Sequence, residues 1–352
     1  MTKNNKGTKK NKSLLTIIAI IAVAIAGAGW MLYSSGFDTT EKACVYIDTD
    51  DNIDSVKTKI YDAAPPKYSI AFDLFSNAMN LKDKIHTGMY EITPDISVFD
   101  YLRHIKNHIG SPVNFIVPTA RTTNDLAGKL AKRVMADSVA IAQYLNDEEK
   151  IAALGFTKET LPAMFIPNTY DIFWDASVDD IMQRMKKEHD KFWNADRTAK
   201  LKEVSNYAGM EMTPVDVATL ASIVESETAN DGEKPAVAGL YLNRLRTNMK
   251  LQSDPTVIFA CQDFTIRRVL NTHLQTPSPY NTYLNFGLPP GPIRIPSIVG
   301  LDAVLNHDHN NYIYMCAKED FSGTHNFAAD YNEHLANARR YTKALDERGI
   351  KK

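Results

Sequence analysis

Two glutamates separated by one serine, Glu225 and Glu227, close an apolar run that begins at Leu220. A carboxyl group held against apolar neighbours has its charged form disfavoured, which raises its pKa and keeps it protonated near neutral pH. Such a group can hand a proton to a leaving group and later take one back, the work of a general acid and base. A glutamate at the end of an apolar helix can equally pair with an arginine or cap a neighbouring helix, so the pair alone leaves both readings open.

The positioning element is legible in the spacing. Val217, Leu220, Ala221 and Val224 recur at intervals of three and four, which places them on one buried stripe of a helix. Glu227 and Thr228 continue that stripe, whereas Glu225 lies on a neighbouring face. The turn from Asn230 to Pro235 ends this helix, and a second helix is expected over 236–246, carrying Asn243 and Arg244. Three clusters follow: Gln252-Ser253-Asp254, Tyr280-Asn281-Thr282-Tyr283, and Leu288-Pro289-Pro290-Gly291-Pro292. Amides and hydroxyls hydrogen bond to sugar hydroxyls and N-acetyl groups, and a tyrosine ring offers a flat apolar face to a pyranose. A proline run has little backbone freedom to lose and can wall a groove at low entropic cost.

Upstream, Leu14 to Tyr33 is an uncharged run of about 20 residues, roughly 30 Å as a helix and enough to cross a bilayer. Lys3, Lys6, Lys9, Lys10 and Lys12 precede it, so residues 1–13 are expected in the cytoplasm, 14–34 as an uncleaved single-pass anchor, and the body outside. Residues 44–117 read as a small α+β module of short strands (45–47, 88–92, 113–117) and helices (53–63, 70–81, 98–109). Residues 118–350 form a larger α+β domain, with helices expected over 123–135, 138–145 and 179–193.

The chain has 352 residues, 44% hydrophobic and 23% charged, the composition of a folded globular protein. Its formal charge of −2 includes the five leader lysines, so the body is more acidic still. That argues against nucleic acid as a partner. Cys44, Cys261 and Cys316 are widely spaced and indicate neither a zinc site nor a disulfide framework. His307-Asp308-His309 could chelate from one face of a strand, but no third ligand is evident and no metal is expected.

Taken in order, Ala221-Ser222-Ile223-Val224-Glu225-Ser226-Glu227-Thr228, Tyr241-Leu242-Asn243-Arg244-Leu245, Leu251-Gln252-Ser253-Asp254-Pro255-Thr256, Tyr280-Asn281-Thr282-Tyr283, Gly287-Leu288-Pro289-Pro290-Gly291-Pro292 and Gly323-Thr324-His325-Asn326-Phe327 resemble the YceG-like family of endolytic murein transglycosylases. The resemblance extends to the anchor and to the small module, which looks LysM-like. It implies a bacterial enzyme of the inner membrane with a periplasmic catalytic domain. The enzyme would cut peptidoglycan glycan strands internally between N-acetylmuramic acid and N-acetylglucosamine, limit strand elongation, and associate with peptidoglycan synthases. No cofactor is implied. One Glu would protonate the leaving oxygen while the muramic C6 hydroxyl closes on C1 to give a 1,6-anhydro end, so the second carboxylate of an ordinary glycosidase is not required.

By likeness to soluble lytic transglycosylases and goose-type lysozymes, in which a small hydroxyl residue follows the acid, Glu227 with Thr228 is the expected acid and Glu225 the fallback. Expected substrate contacts are Asn243, Gln252, Ser253, Asp254, Tyr280, Asn281, Thr282, Tyr283, His325 and Asn326, with Tyr280–Tyr283 and Leu288–Pro292 as groove walls. Departures from the family pattern are Val117-Pro118-Thr119-Ala120, Asn168 and Ser253. Two other readings stay open: a muramidase using water with both glutamates engaged, and a non-catalytic, wall-binding partner of the synthesis complex.

Overall fold

The computed structural model describes residues 7–349; Lys3, Lys6 and residue 350 lie outside the described residues. In chain order the elements are helix α1 (Gly7–Tyr33), strand β1 (Ala43–Ile47), α2 (Ile53–Ala63), α3 (Ser69–Ala78), β2 (Gly88–Ile92), α4 (Val98–Lys106) and β3 (Pro112–Ile116). They continue with α5 (Thr123–Leu130), α6 (Ser138–Tyr144), α7 (Glu148–Ala153), β4 (Thr169–Phe173), α8 (Val178–Phe192), α9 (Ala195–Ala208), α10 (Pro214–Glu227) and α11 (Lys234–Arg246). The last are α12 (Asp254–Cys261), α13 (Ile298–Leu305), β5 (Tyr314–Ala317), β6 (His325–Ala328) and α14 (Tyr331–Glu347). This is an α+β chain in which the strands pair two by two: β1 with β2, β3 with β4, and β5 with β6.

Two compact units emerge, one of residues up to 114 together with 171–176, the other of 115–170 and 177 onward. Residues 171–176, which the sequence placed in the larger domain, thus fall with the first unit. Within that unit β1 and β2 are antiparallel, with Val45 opposite Tyr90 and Ile47 opposite Gly88. Val45, Ile47, Ile60, Phe72, Tyr90, Ile92, Tyr101 and Leu102 form its core. Asn52 starts α2 by accepting from the amides of Asp54 and Ser55, and the Ser55 hydroxyl answers the Asn52 amide, a reciprocal cap that satisfies otherwise orphaned donors.

Side chains at 7–13, 24, 25, 28, 31 and 32 of α1 fall outside the described set, and its side chains from Leu14 to Val23 are exposed. Among the described residues, no helix is long and apolar enough to cross a membrane. The span expected over 14–34 therefore rests on sequence.

In the second unit α10 is the central helix. Thr213 caps it, taking the Asp216 amide while the Asp216 carboxylate takes the Thr213 amide, and Pro214 occupies the first turn, where no amide donor is needed. The sequence predicts a single buried stripe, but every residue from Val217 to Val224 is buried, because α11, α12 and α13 pack around the helix. The two polar positions in that span are reconciled locally. Thr219 donates to the Val215 carbonyl, and Ser222 donates to the Thr219 carbonyl while accepting the Ile293 amide at 3.0 Å. Leu220 is fully buried, and its truncation to Ala would cost about 2–5 kcal/mol. The helix stops at Thr228, whose backbone is extended and whose hydroxyl accepts the Asn230 amide.

Candidate active site

Glu227 occupies the last turn of α10 and meets two donors from different elements. Tyr241, on α11, donates its phenol to Glu227 Oε1 at 2.8 Å, and Ser253, at the start of α12, donates its hydroxyl to the same oxygen at 2.5 Å. No partner of Oε2 occurs among the described residues. Burial pushes the Glu227 carboxyl above its usual range; the Ser253 and Tyr241 hydrogen bonds oppose the rise, the Asp254 charge adds to it, and His325 opposes it. Burial also raises the Tyr241 phenol far above its ordinary value, so it remains a donor throughout the working pH range.

Glu225 is held differently. Its carboxylate pairs with Lys234 Nζ at 3.4 Å, accepts the Ser297 amide at 3.0 Å, and also accepts the Ser297 hydroxyl. Both members of the ion pair are buried, at 8% and 6% side-chain exposure. Ser297 is itself the N-cap of α13, and Gly300 in the first turn passes so close that a Cβ there would lie 2.7 Å from the Glu225 carboxyl carbon. Glu225 thus ties the end of α10 to the starts of α11 and α13.

Two cavities meet at Glu227. The larger, about 480 Å³, is lined by Glu225 and Glu227, by Ile258, Phe259, Phe264 and Ile266, and by Arg121 and Arg294. The smaller, about 220 Å³, is lined by Glu227, Tyr241, Gln252, Asp254, Tyr283 and His325. A half-buried carboxyl therefore stands between two open chambers whose exposed lining is more polar than apolar, the larger one carrying two guanidiniums beside a cluster of apolar side chains.

The YceG-like family model matches residues 45–340. The chain belongs to the YceG-like family. An endolytic murein transglycosylase of Bacillus subtilis is 31% identical over 192 residues, covering 54% of this chain and 51% of its relative. One of Streptococcus pneumoniae is 23% identical over 296 residues, covering 76% of this chain and 52% of its relative. The chain spans about half the length of these curated relatives. A crystal structure of a YceG-like protein from Listeria monocytogenes shares the fold, with a TM-score of 0.55 at 23% identity, covering 85% of this chain and 99% of that one.

Against this YceG-like site, the residues expected to touch substrate separate into two groups. Gln252, Asp254, Tyr283 and His325 line the smaller cavity. Tyr283 donates its phenol to Asp254 at 2.7 Å, and His325 is steadied by Glu233, which accepts both its amide at 2.6 Å and its Nδ1 at 2.9 Å. Ser253 reaches the site through its bond to Glu227.

The other group supports the site from behind. Asn243 is 1% exposed and fully engaged: Nδ2 donates to Asn310 and Tyr312, and Oδ1 accepts from Tyr207 and Arg246. Its neighbour Arg244 donates to the Leu251 carbonyl at 2.6 Å and so holds the loop that carries Gln252. Asn281 is buried too, donating to the carbonyls of Leu274 and Thr276. Thr282 is buried and accepts the Ser253 amide at 3.0 Å, which aims Ser253 at Glu227. Tyr280 packs on Phe259, with ring centroids 4.7 Å apart, and reaches the larger cavity only through it. Asn326 points to Glu319, donating at 2.7 Å, and lines neither cavity.

Nor does Leu288–Pro292 wall either cavity. Gly291 is instead pressed on the Glu159 carbonyl, where a Cβ would come within 2.1 Å, so this run is a packing seam, and the lining is supplied by Ile293 and Arg294 just after it. Among the described residues no cluster suited to a metal ion occurs, and His307 and His309 stack on each other with centroids 5.0 Å apart. All three cysteines are free.

Tyr241 entered the sequence reading only as the first residue of a family motif, with no role of its own, and Lys234, Ser297, Glu233, Arg121 and Arg294 were not expected at the site. A tyrosine 14 positions after Glu227 inside an apolar helix carries no local mark of its role. Only Ser297, preceding an apolar run, reads as an N-cap.

Proposed function

We propose that this chain is an endolytic lytic transglycosylase of peptidoglycan, anchored by its N-terminal helix in the bacterial inner membrane with the larger unit in the periplasm. The observation that carries the reading is Glu227: one half-buried carboxyl between two chambers, with Oε1 taken by Tyr241 and Ser253 and Oε2 left for the substrate. Two donors on Oε1 favour the proton on Oε2, where a glycosidic oxygen can receive it. Chambers on both sides of the acid suit a strand cut internally rather than at an end.

In this mechanism Glu227 protonates the oxygen between N-acetylmuramic acid and N-acetylglucosamine as the C1–O bond breaks. The resulting carboxylate then accepts the proton of the muramic C6 hydroxyl as that oxygen bonds to C1, which leaves a 1,6-anhydro end and restores the acid. No water enters the balance. Glu225, neutralised by Lys234 and bonded to Ser297, serves the scaffold rather than activating water. Repeated internal cuts would limit strand length, which places the enzyme beside the peptidoglycan synthases.

Mass spectrometry of murein digested by the wild-type chain and by Glu225→Gln and Glu227→Gln tests this. Anhydro-ended products that vanish with Glu227→Gln are expected. Reducing muramic ends would make the enzyme a hydrolase, and a normal cellular phenotype with Glu227→Gln would make it a non-catalytic wall binder.

A further inference from the structure

The larger cavity holds two cations that the reaction above does not use. Arg121 and Arg294 both line it. They are brought side by side by backbone: the Ile295 amide donates to the Ala120 carbonyl at 2.8 Å, so each arginine flanks one end of that bond. Neither forms an ion pair among the described residues. Arg121 has its guanidinium 5.7 Å from the centre of the Phe264 ring, which stiffens it while leaving its N–H edge open. Arg294 Nε is buried and meets no acceptor among the described residues, an arrangement that costs free energy unless something else takes the bond.

The acids of the same chamber do not answer these charges. Glu225 is engaged by Lys234 and Ser297, and the Oε1 of Glu227 by Tyr241 and Ser253. Elsewhere in the wall Ser226 turns its hydroxyl back to the Ser222 carbonyl at 2.7 Å, and Ile258, Phe259, Phe264, Ile266 and Ile293 supply an apolar face. Planar donor forks beside an apolar wall suit a carboxylate attached to an aliphatic body, since a guanidinium matches a carboxylate with two parallel bonds.

We propose that Arg121 and Arg294 form a carboxylate-recognition subsite that reads the acidic substituent of muramic acid on the glycan strand. The inference rests on the peptidoglycan reading above. The carboxylate has two possible sources of one chemistry: the peptide joined to the lactyl group, or the lactyl carboxyl itself on a peptide-free strand.

The test is equilibrium binding to the full-length Glu227→Gln chain in detergent, which holds a strand without cutting it. Three soluble oligosaccharide probes are compared: peptide-bearing with free carboxylates, the same with every carboxylate converted to an amide, and peptide-free with free lactyl carboxyls. The free-carboxylate probe is expected to bind at least about tenfold more tightly than the amidated one, the scale of one charge-assisted bidentate contact. Adding Arg294→Ala or Arg121→Ala should shrink that ratio to about two or less, and Arg294→Lys should restore part of it. Tight binding of the peptide-free probe would assign the recognised group to the lactyl carboxyl, and weak binding would assign it to the peptide. Equal binding of free and amidated probes would overturn the proposal, as would an arginine variant that weakens both alike. If the wild-type chain yields no anhydro ends while the carboxylate preference persists, the transglycosylase reading fails and the subsite stands. Anhydro ends without the preference would leave the transglycosylase reading intact and overturn the subsite.

Discussion

Glu225 and Glu227 leave the same end of α10 yet are gripped by different parts of the chain, Glu225 by Lys234 and Ser297 and Glu227 by Tyr241 and Ser253. One is a neutralised tie between helices; the other is a carboxyl lifted out of its usual range by burial. Substitution should separate the two roles. Glu227→Gln should cut the rate by about 10²–10⁴-fold with little change in substrate affinity, the loss expected for a general acid. Glu225→Gln should act on stability first. It leaves Lys234 with only the exposed Asp231 as partner, at a cost of about 2–3 kcal/mol, somewhat below the ~3–5 of a wholly uncompensated buried charge. Kinetics alongside thermal unfolding distinguish the cases, and a Glu225→Gln protein of unchanged melting temperature would contradict the scaffold role.

The pH profile should move in opposite directions for two neighbours. With Glu227 as the proposed general acid, activity should fall on the alkaline side as Glu227 ionises. Tyr241→Phe removes a donor that favours the carboxylate, which raises the Glu227 pKa further and carries the alkaline limb to higher pH. Asp254→Asn removes a nearby negative charge that disfavours the carboxylate, so the limb should move to lower pH. Rate against pH for both variants checks the signs, and a common direction would be inconsistent with this electrostatic account.

Linkage gives a stability prediction of definite sign. Glu227 has a higher pKa folded than unfolded, so the folded state binds the extra proton between the two values and bears the cost of ionising a buried group above them. The penalty is absent below the unfolded-state carboxyl pKa and complete above the folded value. Glu227→Gln should therefore melt higher than wild type at neutral pH, with the advantage fading as pH falls into the ordinary glutamate range. Calorimetric scans across that range decide it.

Two glycines give a steric control. Gly300→Ala drives a methyl into the Glu225 carboxyl group, and Gly291→Ala drives one into the Glu159 carbonyl. The first obstacle is a side chain, which can yield by loosening its bonds to Lys234 and Ser297, and the second is backbone. Gly291→Ala should therefore destabilise more, with overpacking costs of about 1–3 kcal/mol as the scale. Denaturant midpoints measured on both variants test the order.

Local sequence carried much of the fold because its signals are short-range. The apolar periodicity over 217–228 and the Asn230-Asp231-Gly232 stop depend only on neighbours in the chain, and α10 and α11 lie close to where the pattern puts them. Shorter elements were less legible. The helix expected over 123–135 ends at Leu130, and α9, α12 and α14 lacked a period distinct enough to read. The buried residues around α10 also misled, since a helix enclosed on every side shows one apolar stripe only by accident of which small residues fill the rest.

By itself the sequence determined that two carboxylates end an apolar helix and that the chain resembles the YceG-like family, and it made Glu227 the expected acid, since Thr228 follows it and it continues the apolar stripe. Tertiary structure alone decided which side chains face Glu227, because the partners arrive from 14 and 26 residues away and from separate helices. It turned Asn243, Asn281 and Thr282 from expected sugar contacts into buried braces, since an amide or hydroxyl sequestered from water must make its hydrogen bonds with nearby backbone and side chains. It also placed Arg121 beside Arg294, a pairing made by one backbone bond between segments more than 170 residues apart in the numbering, which no local pattern could announce.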